Sequence, residues 1–345
     1  MTTDGSFSVA GIDATPPWWM SNAHVQTILP ALAKPRKRLE TETIRWTTPD
    51  GDFIDTVQLD VATPAPVLVL FHGLEGTKDS HYALSFAAEA QRRGWAFVLP
   101  HFRGCGGDLN IAPRAYHSGD HAEIDWILRR IKSEAGNRPV MAVGVSLGGN
   151  ALMRWAGEHG SSANGVVTAA VAISAPLDLT ASGHAMGRGF NRQVYTRMFL
   201  RTMVPKAMAK WEQYPGLFDR KRLLKAKTLY DFDDAFTAPV HGFRDAKDYW
   251  LRASAKPKLK DVATPSLILN ARNDPFVPSA SLPTVAEVSP AVTLWQPQYG
   301  GHVGFPAPTD RTHIGFHSNH MPHTVANWLH CQLQLTETPR GTHSG

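Results

Sequence analysis

The chain has 345 residues, 43% hydrophobic and 19% charged, with a formal net charge of +5 and a pI near 9.2. That composition excludes a disordered polymer, and its longest apolar runs, Val67 to Phe71, Val140 to Val145 and Val166 to Ile173, fall far short of the ~20 residues a bilayer-spanning helix needs. Two cysteines, Cys105 and Cys331, are too few for a disulfide framework and suit a reducing, cytoplasmic setting, and Met1 to Asp13 lacks the pattern of a secretory signal.

Taken in chain order, Thr41 to Trp46 and Phe53 to Asp60 alternate apolar and polar residues around Pro49-Asp50-Gly51. They predict an antiparallel hairpin at a sheet edge. From about residue 65, short apolar runs alternate with helical stretches. Val67 to Phe71 reads as a strand buried on both faces. Ser80 to Arg93 reads as a helix stopped by Gly94, and Trp95 to Pro100 as the next strand. Ser118 to Glu134 places Ile124, Ile127, Leu128 and Ile131 on one helical face. Strand Val140 to Val145, helix Leu147 to Glu158 and strand Val166 to Ser174 follow. Ser266 to Asn270 and Val292 to Gln296 are the last strands, and Asn319 to Leu335 is the closing helix. This alternation implies one α/β domain built on a mainly parallel sheet with helices on both faces.

One stretch breaks the rhythm. Residues 177–262 lie between two predicted strands and read as helices, interrupted at Tyr214-Pro215-Gly216. They are expected to form a helical cap inserted in the domain, with Met186, Phe190, Phe199 and Met203 as candidates to line a pocket beneath it.

Gly144-Val145-Ser146-Leu147-Gly148 matches G-x-S-x-G and lies between a predicted strand and a predicted helix. In that setting a sharp turn projects the serine hydroxyl into a cleft, and small neighbours relieve the crowding. Phe71-His72-Gly73-Leu74-Glu75-Gly76 ends an earlier strand. The backbone N–H groups of Leu74 and Leu147 are the expected oxyanion donors, although a glycine turn there could serve chain reversal alone. His72 is read as structural.

A serine hydroxyl needs an imidazole to accept its proton, and the imidazole needs a carboxylate to orient it. In folds with this serine turn the order along the chain is Ser, acid, His. Asp274 follows the strand from Ser266, and His302 follows the last strand inside Gly300-Gly301-His302-Val303-Gly304. The expected catalytic set is therefore Ser146, Asp274 and His302. Asp178, just after the strand ending at Ser174, is the competing acid, and Asp233 and Asp234 fall in the cap.

His313, His317, His320 and His323 are close enough in sequence to suggest a metal site, but Gly315 and Pro322 disrupt a continuous helix, and a solvated cluster is the plainer reading. The loop His101 to Gly107 is glycine-rich yet lacks both nucleotide-loop signatures, so it reads as a pocket wall, with Cys105 not a nucleophile. Basic residues from Arg188 to Lys227 alternate with apolar ones such as Met198, Phe199 and Met203. Contact with an anionic membrane is one reading and an ordinary solvated face the favoured one. No nucleic-acid module accompanies the charge.

These motifs resemble the YheT-type esterases and their eukaryotic relatives within the α/β-hydrolase superfamily, over about residues 17–330. The resemblance rests on Asn22-Ala23-His24-Val25-Gln26-Thr27, Pro49 to Phe53, Phe71 to Gly76, His101 to Cys105, Tyr116 to Gly119, Gly144 to Asn150, Phe232-Asp233-Asp234, His241 to Phe243, Asn273 to Phe276 and Gly300 to Phe305. It implies the α/β-hydrolase fold, a triad at Ser146, Asp274 and His302, and hydrolysis of carboxylic acyl esters, lipid-like ones included, without metal or organic cofactor. Acyl transfer to an alcohol on the same triad, and a hydrolase fold reused for binding, are the alternatives.

Overall fold

The computed structural model describes residues 15–33, 39–61, 64–308, 316–317 and 320–337. Eight strands form one sheet in the order β1-β2-β4-β3-β5-β6-β7-β8. β1 (Glu42–Thr47) and β2 (Phe53–Leu59) are the expected edge hairpin, with β2 antiparallel to β4 (Ala96–Pro100). The remaining neighbours, β4, β3 (Val67–Phe71), β5 (Val140–Val145), β6 (Ala169–Ile173), β7 (Ser266–Leu269) and β8 (Val292–Trp295), pair in parallel.

Alternation along the buried strands distributes the core over both faces. Val67, Val69 and Phe71 of β3 pack with Ile124, Ile127 and Leu128 of α3 (His121–Ala135) and Leu152 and Trp155 of α4 (Leu147–His159). Leu68 and Leu70 face the other way, toward Phe86 of α2 (His81–Arg93) and Val325 and Leu329 of the C-terminal helix His320–Glu337. Such two-sided burial, at about 25 cal/mol per Å², is the main stabilising term and explains why these strands read as unbroken apolar runs.

Two boundaries and one added helix depart most from expectation. β6 starts at Ala169 rather than Val166, because the Val166 and Val167 amides bond to Ala163 O (2.9 and 3.0 Å) and close a turn. Both valines are buried there, so their hydrophobicity reports packing and not strand. Helix α3 starts at His121, capped by the Asp120 side chain on Glu123 N–H, and not at Ser118. A helix α1 (Ala23–Leu32), which periodicity did not suggest, opens with Asn22 accepting from His24 N–H (2.8 Å).

Between Ile173 and Ser266 there are only helices and turns, the longest being Leu179–Met186, Arg197–Gln213 and Ala246–Ala253. They hold a small core of their own around Phe218, Leu223, Phe232 and Phe236. Asn150 of α4 ties their far end to the sheet: its amide donates to Ala253 O (3.0 Å) and accepts from Ala255 N–H (2.9 Å). Lys210, almost fully buried, donates to Asn110 O (2.5 Å) and Ala112 O (3.0 Å) on the opposite side.

Candidate active site

Ser146 stands at the junction of β5 and α4 with φ 52° and ψ −118°, a strained region for a residue with a side chain. The surrounding backbone enforces it. Ser146 N–H donates to Ile173 O (2.8 Å), and the chain turns through positions where no methyl group fits. A Cβ on Gly144 would overlap the Gly148 backbone, and one on Gly148 would sit 2.5 Å from Phe71 O.

His302 lies on the loop after β8. Its Nε2 is 3.0 Å from Ser146 Oγ, and its Nδ1 is 2.9 Å from Asp274 Oδ2 and 3.2 Å from Oδ1. Asp274, on the loop after β7, has a fully buried side chain, and Phe276 N–H (2.8 Å) and Val277 N–H (3.3 Å) donate to its Oδ1. The three residues picked from sequence therefore meet in one chain of hydrogen bonds, the geometry in which imidazole can relay a hydroxyl proton while a carboxylate fixes its tautomer.

What holds the His302 loop was not visible in the sequence. Gln26 Oε1 accepts from Gly300 N–H and from the Asn273 amide (both 2.9 Å), while Gln26 Nε2 donates to Met20 O (2.7 Å). Thr27 Oγ1 accepts from His302 N–H (2.9 Å), and Asn273 Oδ1 from Gly301 N–H (3.0 Å). Helix α1 is thus a bracket for both the acid loop and the base loop. The signal available in advance was the Asn22 to Thr27 motif, whose role only the fold reveals.

The Leu74 and Leu147 side of the site is equally specific. Gly76 N–H donates to Gly73 O (2.9 Å), making a four-residue turn with Leu74 and Glu75 at its centre. Among the described residues neither Leu74 N–H nor Leu147 N–H has a hydrogen-bond partner, whereas the flanking amides of Gly73 and Glu75 bond to the hydroxyls of Tyr82 and Tyr116. Both leucines border the same cavity as Ser146. His72 holds the turn from below: burial lowers its pKa to about 3, and the neutral ring bridges Gly73 O (2.8 Å) and Phe102 N–H (3.0 Å).

The cavity over Ser146 has a volume of about 170 Å³. Its roof is the helical segment after β6, with Met186, Phe199, Met203, Phe232 and Phe236 among the apolar lining. Phe190, anticipated as lining, points elsewhere: it is half exposed and packs on His24, ring centroids 4.3 Å apart. The cavity contributors Arg103 and Gly104 come from the glycine-rich loop. Arg103 is spent on Asp52 (2.7 Å) and Glu123 (2.5 Å), and the buried Cys105 thiol is pushed up to about 12 by desolvation, which leaves no thiolate at neutral pH.

The other candidates have separate duties. Asp178 caps helix Leu179–Met186 by accepting from Ala181 N–H (3.0 Å). Asp233 accepts from Thr237 Oγ1 and Trp250 Nε1 (both 2.7 Å), and Asp234 pairs with Arg222. His323 bonds to Glu89 (3.2 Å). His313 lies outside the described residues, and among the described residues no group of three His, Cys, Asp or Glu side chains is placed to hold a metal ion. No helix among them is long and apolar enough to cross a membrane.

A family model described as "alpha/beta hydrolase fold" matches residues 66–307. The chain belongs to the α/β-hydrolase family. Within it this hydrolase is YheT-like: it is 39% identical over 309 residues to "Putative esterase YheT" of Escherichia coli, covering 88% of this chain and 90% of that protein. It is 30% identical over 302 residues to mouse "Phospholipase ABHD3", covering 84% and 72% respectively. In fold the hydrolase is similar to the Pyrococcus furiosus esterase Pf2001, with a TM-score of 0.53 at 14% identity over 88% of this chain and 98% of that one.

Proposed function

We propose that this hydrolase is a carboxylic ester hydrolase that works through an acyl-enzyme on Ser146. The observation that carries the reading is the continuous Ser146–His302–Asp274 hydrogen-bond chain, 3.0 Å and 2.9 Å in its two links, beneath a mainly apolar cavity. In the first half-reaction His302 Nε2 takes the hydroxyl proton as Ser146 Oγ attacks the ester carbonyl carbon. Asp274, buried and accepting at Oδ1 from the Phe276 and Val277 N–H groups, holds Nδ1–H toward itself and stabilises the imidazolium.

Charge moves onto the carbonyl oxygen as the bond forms. The unpartnered Leu74 and Leu147 N–H groups receive it, and the N-terminus of α4 adds its dipole. Each such donor contributes about 3 kcal/mol to the transition state. His302 then returns the proton to the leaving alcohol, and a water activated by the same imidazole releases the acid. The helical segment 177–262 serves as the cap, and its apolar lining takes the acyl chain of a short- or medium-chain ester or of a monoacylglycerol-type substrate. The names of the relatives, an esterase and a phospholipase, agree with an ester as substrate.

A fluorophosphonate tests the nucleophile directly, because it phosphonylates an activated serine and then stays. Mass spectrometry of the labelled protein should find one adduct, on Ser146, and none in Ser146→Ala. An adduct on another residue, or equal labelling of the variant, would overturn the assignment.

A further inference from the structure

The turn that carries Leu74 N–H contains an anomaly. Its third residue, Glu75, has φ 56°, and a turn with a positive φ at that place ordinarily takes glycine. The strain of a side chain there calls for a compensating contact. Glu75 makes two. From the loop before α3, the half-buried Tyr116 accepts through its hydroxyl from Glu75 N–H (3.0 Å) and donates to Glu75 Oε1 (2.9 Å). Tyr116 is itself fixed by stacking on Phe102, ring centroids 5.5 Å apart at 7°. From the roof, Lys206 of the helix Arg197–Gln213 reaches down and places Nζ 2.9 Å from Glu75 Oε2 and 3.1 Å from Oε1.

Glu75 is therefore where the roof of the cavity and the oxyanion turn meet. The Glu75 carboxylate is nearly buried while the Lys206 side chain is 37% exposed, so the pair sits at the seam between helical segment and sheet. All the partners, Glu75, Tyr116 and Lys206, border the cavity over Ser146. We infer that Glu75 and Lys206 are positioning residues for the reaction: seating the roof helix, through the Lys206–Glu75 pair, fixes the turn that aims Leu74 N–H at the developing oxyanion. Rate then depends on the roof being closed, because an open roof releases the carboxylate and leaves the strained turn free to swing its amide away. The inference rests on the ester-hydrolase reading with Leu74 as an oxyanion donor.

The decisive variant is Glu75→Gly. Glycine accepts the turn's positive φ, so the protein still folds, but its backbone is freer and, with the link to Lys206 gone, the roof no longer holds Leu74 N–H in place. Lys206→Met removes the link from the roof side at a partly exposed position, and Lys206→Arg restores a cation. Steady-state kinetics on a p-nitrophenyl ester, with circular dichroism to verify folding, should show kcat lowered about ten- to a hundredfold in Glu75→Gly and Lys206→Met with KM changed less than about threefold, as for partial loss of one oxyanion donor. Glu75→Gly combined with Lys206→Met should be no slower than the slower single variant, and Lys206→Arg should regain most of the rate. Wild-type kcat in Glu75→Gly, or a loss confined to KM, would overturn the positioning role while leaving the serine mechanism standing. No Ser146-dependent turnover in the wild type would instead remove the reading beneath it.

Discussion

The ring of Phe276 lies on the imidazole of His302, centroids 4.1 Å apart and planes 26° apart, while the same residue's N–H donates to Asp274 Oδ1 at 2.8 Å. One residue thus fixes the plane of the base through its side chain and the acid through its backbone. Aromatic pairs contribute about 0.5–1.5 kcal/mol beyond burial. Phe276→Leu keeps the backbone donor and loses the stack, so kcat for ester hydrolysis is expected to fall about two- to tenfold with little change in KM. Steady-state kinetics checks this, and an unchanged kcat would show that the loop alone orients His302.

The bracket formed by α1 gives a second prediction. Gln26→Ala leaves Gly300 N–H and the Asn273 amide without their acceptor in a buried site. Orphaned buried donors cost about 1–3 kcal/mol each, so denaturant unfolding should show a loss of that order together with reduced turnover. Gly304→Ala should be more damaging still. A methyl there would overlap the Gln26 carbonyl oxygen, preventing the His302 loop from seating on α1. Ester turnover should fall by more than tenfold, and normal turnover in Gly304→Ala would mean the loop docks otherwise.

Asp233 gives a pH-dependent prediction. Its carboxyl is buried, and desolvation raises its pKa from the ordinary carboxylate value to about 6. The folded protein therefore holds a proton that the unfolded chain releases near pH 4, so stability declines as pH rises from about 4 through 6 and stays lower above that. Asp233→Asn carries no such charge. The stability of Asp233→Asn minus that of wild type should grow across this window, reaching about 1–3 kcal/mol at pH 7. Urea unfolding at pH 4.5 and pH 7 measures it, and a difference that does not rise with pH would contradict the assignment.

Much of this was legible because local chemistry and global position agree. Val140 to Val145 reads as a buried strand, Gly144 to Gly148 as a crowded turn, and Asp274 and His302 each follow a strand, where parallel sheets place their chemistry. What escaped depends on contacts distant in sequence. Gln26 meets Gly300 across 274 residues, and no periodicity in Ala23 to Leu32 announces that. Val166 and Val167 looked like strand because burial, and not backbone pairing, selects their side chains. Glu75 appeared as one letter of a motif until its positive φ and its link to Lys206 were visible.

We propose that Ser146, activated by His302, cleaves carboxylic esters held in the apolar cavity. The most direct measurement is hydrolysis of p-nitrophenyl esters, from short to long acyl chains, by wild type and Ser146→Ala. Wild type should show a chain-length optimum, and Ser146→Ala should fall to background, a loss of at least about a thousandfold. No turnover of any ester by the wild type, or equal rates in the two proteins, would rule out a serine esterase acting through Ser146.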